Sequence, residues 1–300
     1  MQMKHAFMTL LAGTFGALAA SNAADAIPAE PPKVPVVNGI VQPRRPLPAA
    51  IADAMKFLKR ADQGYVPGRL DGPLAGYFTS AHVLTDGSPS SRNFCFPARQ
   101  HAYFINTFLL YHRYSGETEW LQRARDLADW NLAHSTPPDA RYANLPWSVY
   151  SNGKPGGSQD KDALEPDKAA WFGSSYLALY DVTKEPKYLE AAKAIAITLA
   201  ARQEKDGSWP FRVVPQDGVV RQQTGGAPVF FVEFFEQILR HEPNKEWNHV
   251  RDRALKLMIT RNVEQNRWGT YHEDIRERPE THLSAEPMSF TASWLFRHGR

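Results

Sequence analysis

The sequence has 300 residues, with 35 Lys and Arg against 32 Asp and Glu, for a formal net charge of +3. A balance this mild, with no basic run interleaved with aromatics, argues against a nucleic-acid partner. Cys95 is the only cysteine, which excludes an intramolecular disulfide and a thiolate metal cluster. Its position between Phe94 and Phe96 predicts a buried thiol.

The first 26 residues read as a secretory signal. Lys4 and His5 give a basic start, Ala6 to Ala20 an apolar stretch, and Ser21-Asn22-Ala23 or Ala24-Asp25-Ala26 a small-residue cleavage site. The apolar run is shorter than the roughly 20 residues a membrane-spanning helix needs. Nothing later is apolar enough to span a bilayer, so the mature chain is expected to be periplasmic or secreted, with no membrane contact after cleavage. Residues 27–48 carry Pro28, Pro31, Pro32, Pro35, Pro43, Pro46 and Pro48. Proline lacks an amide donor and resists helix and sheet, so this stretch is expected to be a linker. Residues 49–300 suit one domain with a sizeable core.

Within that domain two kinds of helix alternate. Ala98 to Tyr114, Ala169 to Asp181 and Ala227 to Leu239 are apolar almost all round and are expected to be buried. The other kind has a single apolar stripe: Trp120, Leu121, Ala124, Leu127, Ala128 and Asn131; Tyr188, Leu189, Ala192, Ile195, Ala196 and Leu199; Trp247, Val250, Ala254, Leu257 and Met258. Spacings of three and four put each set on one helix face. Buried helices alternating with surface helices predict an all-α, double-layered α/α toroid of about eight helices. The first helix is expected at 49–61 and the last, an inner one, at 285–297. The last has no outer partner after it, so either the toroid closes by pairing it with the first helix or the ring is incomplete.

The repeat is visible in the turns and loops. Trp120, Tyr188 and Trp247 stand 68 and 59 residues apart, at the ends of SGETEW, TKEPKY and PNKEW. Ser115 and Thr183 are expected helix caps and Pro186 a first-turn residue. The return loops, 136–167, 204–226 and 263–286, are long and should gather at one end of the barrel. They carry Trp147, Trp209 and Trp268, each followed three positions later by Tyr150, Arg212 or Tyr271. Alternation around these residues predicts short β-ribbons, and loops of this length commonly do something.

At this point the chain resembles the α/α-toroid enzymes of carbohydrates: six-hairpin glycosidases, toroid polysaccharide lyases and glucuronyl epimerases. The resemblance rests on EPDKAAWFGSSYLALYDVTKEPKYLEAA (165–192), on QEKDGSWPFRV (203–213) and on the helix alternation. QEKDGSW is also similar to the glutamine-tryptophan repeat of triterpene cyclases, whose aspartate-rich acid motif is missing here. What the resemblance implies is a groove of aromatics and carboxylates. Sugars stack their apolar faces on rings, and Trp147, Tyr150, Trp171, Trp209, Trp268 and Tyr271 are the candidate platforms. The repeated tryptophans equally suit plugs that hold each ribbon to the barrel end.

Three sets of residues suit catalysis. Glu165 and Asp167 precede an inner helix, where the dipole favours carboxylates. Paired with Glu273 or Asp274 they would make the acid and base of a glycosidase. Tyr271-His272-Glu273-Asp274 is the densest titratable run. With Arg212 to neutralise a uronate carboxylate, Tyr271 or His272 would serve as the base of an elimination or epimerisation. Third, His101, with Tyr103, Asn106 and Arg99 nearby, starts an inner helix and is a candidate for substrate binding, or else a core histidine. Glu233 and Glu236 interrupt another inner helix and call for partners. There is no HExxH helix, EF-hand loop, GxSxG elbow or phosphate-binding glycine loop. The expectation is an exported enzyme of acidic polysaccharides, a lyase ahead of a hydrolase, with no cofactor or metal. The alternative is a non-catalytic helical-repeat protein that binds glycans or cell-envelope partners.

Overall fold

The computed structural model describes residues 35–42, 45–60, 81–83, 89–91, 94–151, 154–155, 162–268 and 285–299. The chain divides into two compact units, residues 1–65 and 66–300. In the first, β1 (Val36–Val37) and β2 (Ile40–Val41) pair antiparallel about Asn38-Gly39. Both turn residues have positive φ, 52° and 75°, as a tight hairpin of right-twisted strands requires. The proline-rich stretch therefore contains a small hairpin as well as extended chain. Helix α1, Leu47–Arg60, follows.

The second unit is the toroid. Its short strands are β3 (Ala81–Val83), β4 (Pro89–Ser91), β5 (Phe94–Cys95), β6 (Tyr150–Ser151), β7 (Lys154–Pro155), β8 (Pro210–Val213) and β9 (Val220–Gly225). Its inner helices are α2 (Ala102–Ser115), α4 (Pro166–Thr183), α6 (Pro228–His241) and α8 (Ala285–Arg297). Its outer helices are α3 (Thr118–Ala133), α5 (Pro186–Ala200) and α7 (Lys245–Leu257). Helices α2, α4 and α6 each pack on the outer helix that follows, α4 packs on both α2 and α6, and α6 packs on α8. The expected stripes face inward: Trp120, Ala124, Leu127 and Ala128; Tyr188, Ala192, Ile195 and Ala196; Trp247, Val250 and Ala254 are all buried.

The inner helices α4 and α6 are buried nearly all round, as their composition predicts. Helix α2 differs. It packs on α3 and α4, while Leu110 and Tyr114 stay 68% and 60% exposed. A helix covered on two sides keeps an open third face whatever its composition.

Helix ends follow local chemistry. Proline opens α4, α5 and α6, where a missing amide costs nothing. Ser115 and Thr183 do not cap as expected. The N-cap residues are Glu117 and Glu185, and the two hydroxyls accept the Glu117 and Glu185 amides at 3.2 Å. A hydroxyl bonding two residues ahead closes a tight turn between helices and is no longer available to the first helical amides.

Ribbons form in the loops of Trp147 and Trp209, as expected; the one expected beyond Trp268 lies outside the described residues. Strands β5, β6 and β7 make one sheet, and β8 and β9 another. The first two long loops also join each other. Leu164 and Val213 exchange backbone hydrogen bonds at 2.8 and 3.0 Å, and the Arg141 and Tyr142 amides donate to Gln216 and Pro215. Ala98, just before α2, donates to the Trp147 carbonyl at 3.0 Å. Among the described residues, the first two long loops and the turn before α2 are thus joined by backbone hydrogen bonds.

Two outcomes follow from this packing. A Cβ at Gly173 of α4 would lie 2.4 Å from Cε2 of Phe234, a fully buried ring of α6. Gly173→Ala is therefore expected to destabilise by about 1–3 kcal/mol through overpacking, despite the helix-propensity gain of about 1 kcal/mol; a rise in the urea midpoint would contradict it. Second, burial raises the phenol pKa of both Tyr176 and Tyr188. An unfolded tyrosine ionises near 10. The folded state then holds protons that the unfolded state releases, so stability is full below about pH 10 and falls above it. Thermal melting should drop on that alkaline side and drop less in Tyr188→Phe; an unchanged alkaline slope would show that Tyr188 does not contribute.

Candidate functional site

The N-termini of α2, α4 and α8 meet at the loop end, and charged groups converge there. Lys168, third residue of α4, is 2% exposed. Its ammonium lies 3.8 Å from Asp167 and 4.0 Å from Glu286, and 5.0 Å over the Phe230 ring. Arg99, in the π-helical turn Pro97–His101 that leads into α2, donates to Glu286 at 3.1 Å. Burial raises the Tyr103 pKa, against a lowering by Arg99 and Lys168. The Tyr103 ring meets the edge of Trp171 at 4.4 Å, and Trp171 stacks on Phe230 at 4.8 Å. Tyr103 and Trp171 are half-buried.

The macrodipole makes this arrangement informative. Helix N-termini carry partial positive charge and favour anions by about 0.3–1 kcal/mol. Arg99 and Lys168 are cations at N-termini, where that field opposes them. Together with the dipoles they create a site suited to binding a carboxylate.

The sequence-derived candidates fall into four groups. Glu165 and Arg212 are brought together: Nε and Nη2 of Arg212 lie 2.9 and 2.8 Å from one oxygen of Glu165, and each residue is 9% exposed. Ser148 completes the contact, its hydroxyl accepting the Glu165 amide at 2.6 Å. Asp167, 2% exposed, accepts the Ala227 amide at 3.1 Å and its neighbour Lys168's amide at 2.8 Å, so it ties α4 to the start of α6.

Among the aromatics, Trp171 belongs to the charged cluster. Trp209 is 1% exposed, stacks on Phe231 at 3.8 Å and donates to the Leu199 carbonyl, which is the geometry of a plug. Trp268 is 7% exposed and donates to Asn266. Trp147 is half-buried, and Tyr150 joins Trp130 and His134 in a second half-buried aromatic group. His101 is fully buried behind that group, edge-on to Trp130, with Nδ1 2.8 Å from the Asn131 amide nitrogen. An amide nitrogen donates, so the ring proton sits on Nε2. His101 holds α2 to α3. Tyr271, His272, Glu273 and Asp274 lie outside the described residues. The side chain of Cys95 does too.

Glu233 and Glu236 find the partners their burial demands. Glu233 pairs with Arg297, and Glu236 accepts from Trp294 at 3.0 Å with His298 3.4 Å away. Both contacts hold the C-terminal part of α8 on α6. The sequence marks Arg99 and Tyr103 only as neighbours of His101, and it gives no sign of Glu286. Lys168 stands in EPDKAAW, directly before the apolar stretch that begins at Ala169, and a cation at that position is the signal for it. Among the described residues no group of three or more His, Cys, Asp or Glu side chains is placed to hold a metal ion, and no helix is long and apolar enough to cross a membrane.

No family model matches the sequence, and no curated protein matches it significantly. Solved structures match the fold. An unsaturated glucuronyl hydrolase from Bacillus sp. GL1, described as responsible for glycosaminoglycan degradation, is similar with a TM-score of 0.51 and 16% identity, over 74% of this chain and 56% of its own. A polysaccharide lyase is similar with a TM-score of 0.56 and 10% identity, over 80% of this chain and 64% of its own. Cellobiose 2-epimerase from Spirochaeta thermophila is similar with a TM-score of 0.52 and 17% identity, over 72% of this chain and 56% of its own. The matched region is thus 56 to 64% of the length of these proteins. Together with the two layers of helices, the likeness establishes the fold of this chain as an α/α toroid, the architecture of these carbohydrate-active enzymes.

Proposed function

We propose that this protein is an exported enzyme of acidic polysaccharides that cleaves by β-elimination beside a uronate carboxylate, at the N-terminal ends of α2, α4 and α8. One observation carries the reading: Arg99 and Lys168 stand at helix N-termini, beside the half-buried rings of Tyr103 and Trp171. A uronate needs that combination, cations for its carboxylate and an aromatic face for its ring. Export rests on residues 1–26. The sugar and polysaccharide chemistry of the proteins with similar folds supports the substrate class.

In this reading Arg99 and Lys168 bind the carboxylate and stabilise the enolate that forms when the adjacent carbon loses its proton. Tyr103, as phenolate, accepts that proton. The electron pair forms the new carbon–carbon double bond, the glycosidic carbon–oxygen bond breaks, and the leaving oxygen takes a proton from the tyrosine hydroxyl or water. Tyr271 and His272 are the other candidate bases. Arg212 is a positioning residue, since its guanidinium is engaged by Glu165. Hydrolysis is less well supported because Glu165 is paired with Arg212 and Asp167 accepts two backbone amides.

Mass spectrometry after incubation with a panel of acidic and neutral polysaccharides tests this. Oligosaccharides lighter by one water, with an unsaturated end, are expected from acidic substrates. Products of full mass with new reducing ends would replace elimination by hydrolysis, and no cleavage of any substrate would favour a glycan-binding protein. Tyr103→Phe should lose roughly 10²–10⁴-fold in turnover with its circular dichroism unchanged; full turnover would remove Tyr103 from the mechanism. A basic tyrosine must be deprotonated, and burial raises its pKa. The rate should therefore climb through the alkaline range, rather than levelling off near neutrality.

A further inference from the structure

The cations assigned to the substrate carboxylate already hold one. We propose that Glu286 occupies the carboxylate subsite as an internal ligand, and that an acidic sugar binds by displacing it. This rests on the reading above, that Arg99 and Lys168 receive a uronate.

Two carboxylates flank Lys168, and they differ in freedom. Asp167 is 2% exposed and held by two backbone amides. Its removal would leave those amides without their acceptor, so it stays with the scaffold. The Glu286 side chain is 19% exposed, accepts from Arg99 at 3.1 Å and lies 4.0 Å from Lys168. It stands in the first turn of α8, where the dipole alone would favour an acidic residue. That preference does not account for its reaching two cations carried by α4 and by the turn before α2.

Helix α8 is built to let this end yield. Its C-terminal part is fixed to α6 through Trp294 to Glu236 and Arg297 to Glu233. Trp294 is 1% exposed, whereas Glu286 lies at the opposite end of the helix, paired with half-buried Arg99 and with buried Lys168. Rotation of the Glu286 side chain away from Arg99 and Lys168 is the motion that vacates the subsite. The exchange replaces one carboxylate with another, so the charge around Arg99 and Lys168 is the same before and after, and the desolvation cost of the two cations is not incurred anew. A neutral sugar offers no such replacement. Displacement therefore selects for acidic ligands.

Calorimetric titration with sodium glucuronate and with glucose, on the full chain, decides this. Glu286→Gln removes the competing charge and is expected to bind glucuronate about tenfold more tightly than the wild type, the change expected from freeing one charge-assisted hydrogen bond. Glucose affinity should not move. Glu286→Asp keeps the charge but withdraws it by one methylene, and should tighten glucuronate binding as well; it serves if the glutamine variant fails to fold. Equal or weaker glucuronate binding in a folded variant would overturn the proposal. The two readings fail separately. Acidic polysaccharide cleaved by the wild type, with glucuronate affinity unchanged in the variants, removes only the displacement. Tighter glucuronate binding in the variants, with no polysaccharide cleaved, keeps the displaceable carboxylate and removes the lyase.

Discussion

The loop end of this toroid is organised around a buried ion pair, Glu165 with Arg212. Glu165 is the last residue before α4, and Arg212 lies on β8 of the second loop. Both hydrogen bonds from the guanidinium reach one carboxylate oxygen, and the backbone amide of Glu165 is held by Ser148 in the first loop. One contact thus joins the first loop, the second ribbon and the start of an inner helix. Removing one partner of a buried pair leaves an uncompensated charge, at a cost of about 3–5 kcal/mol. That penalty keeps the two loops in register, and the register fixes where α4 begins. Pro166 and the backbone bridge between Leu164 and Val213 act on the same few residues.

Because α4 begins there, Asp167 and Lys168 project to opposite uses. Asp167 turns to the amide of Ala227 and secures α6. Lys168 turns into the cluster with Glu286, over the ring of Phe230. A buried ammonium is costly unless it is compensated, and both carboxylates and aromatic faces compensate it. The same environment that stabilises the lysine would strengthen its attraction for a ligand carboxylate. In the proposed function, stability and recognition would draw on one field, set by the helix N-termini.

The aromatic residues show how one sequence pattern serves different ends. Trp209 fills the space under the second ribbon, with a stacking contribution of about 0.5–1.5 kcal/mol beyond its buried area. Trp268 is buried with its own hydrogen bond, while Trp147 remains half-buried and gives its carbonyl to Ala98. Trp171 has no counterpart in the repeat, yet it is the tryptophan that lines the charged cluster. Repetition marked what holds the ribbons.

What the sequence by itself determined is the part encoded at short range. The stripes of α3, α5 and α7 recur every three or four residues and are buried where that spacing places them, except that Leu121, Leu189 and Leu257 at their edges are half-buried. Proline at the first turns, alternation in the loops and the largely apolar α4 and α6 likewise depend on neighbours a few positions away. The charged cluster does not. Arg99 and Glu286 are 187 residues apart, and Glu165 and Arg212 are 47 apart. No local period relates them; Arg99 and Glu286 meet because the starts of α2 and α8 lie at one end, and Glu165 and Arg212 because the first two long loops join there. The exposed face of α2 is decided in the same way, since composition states how apolar a helix is but only its packed neighbours determine which face they cover. Local spacing sets which side of a helix is apolar. Only the packing of the helices determines which charges share a buried site, and that packing is what brings Lys168 and Glu286 together.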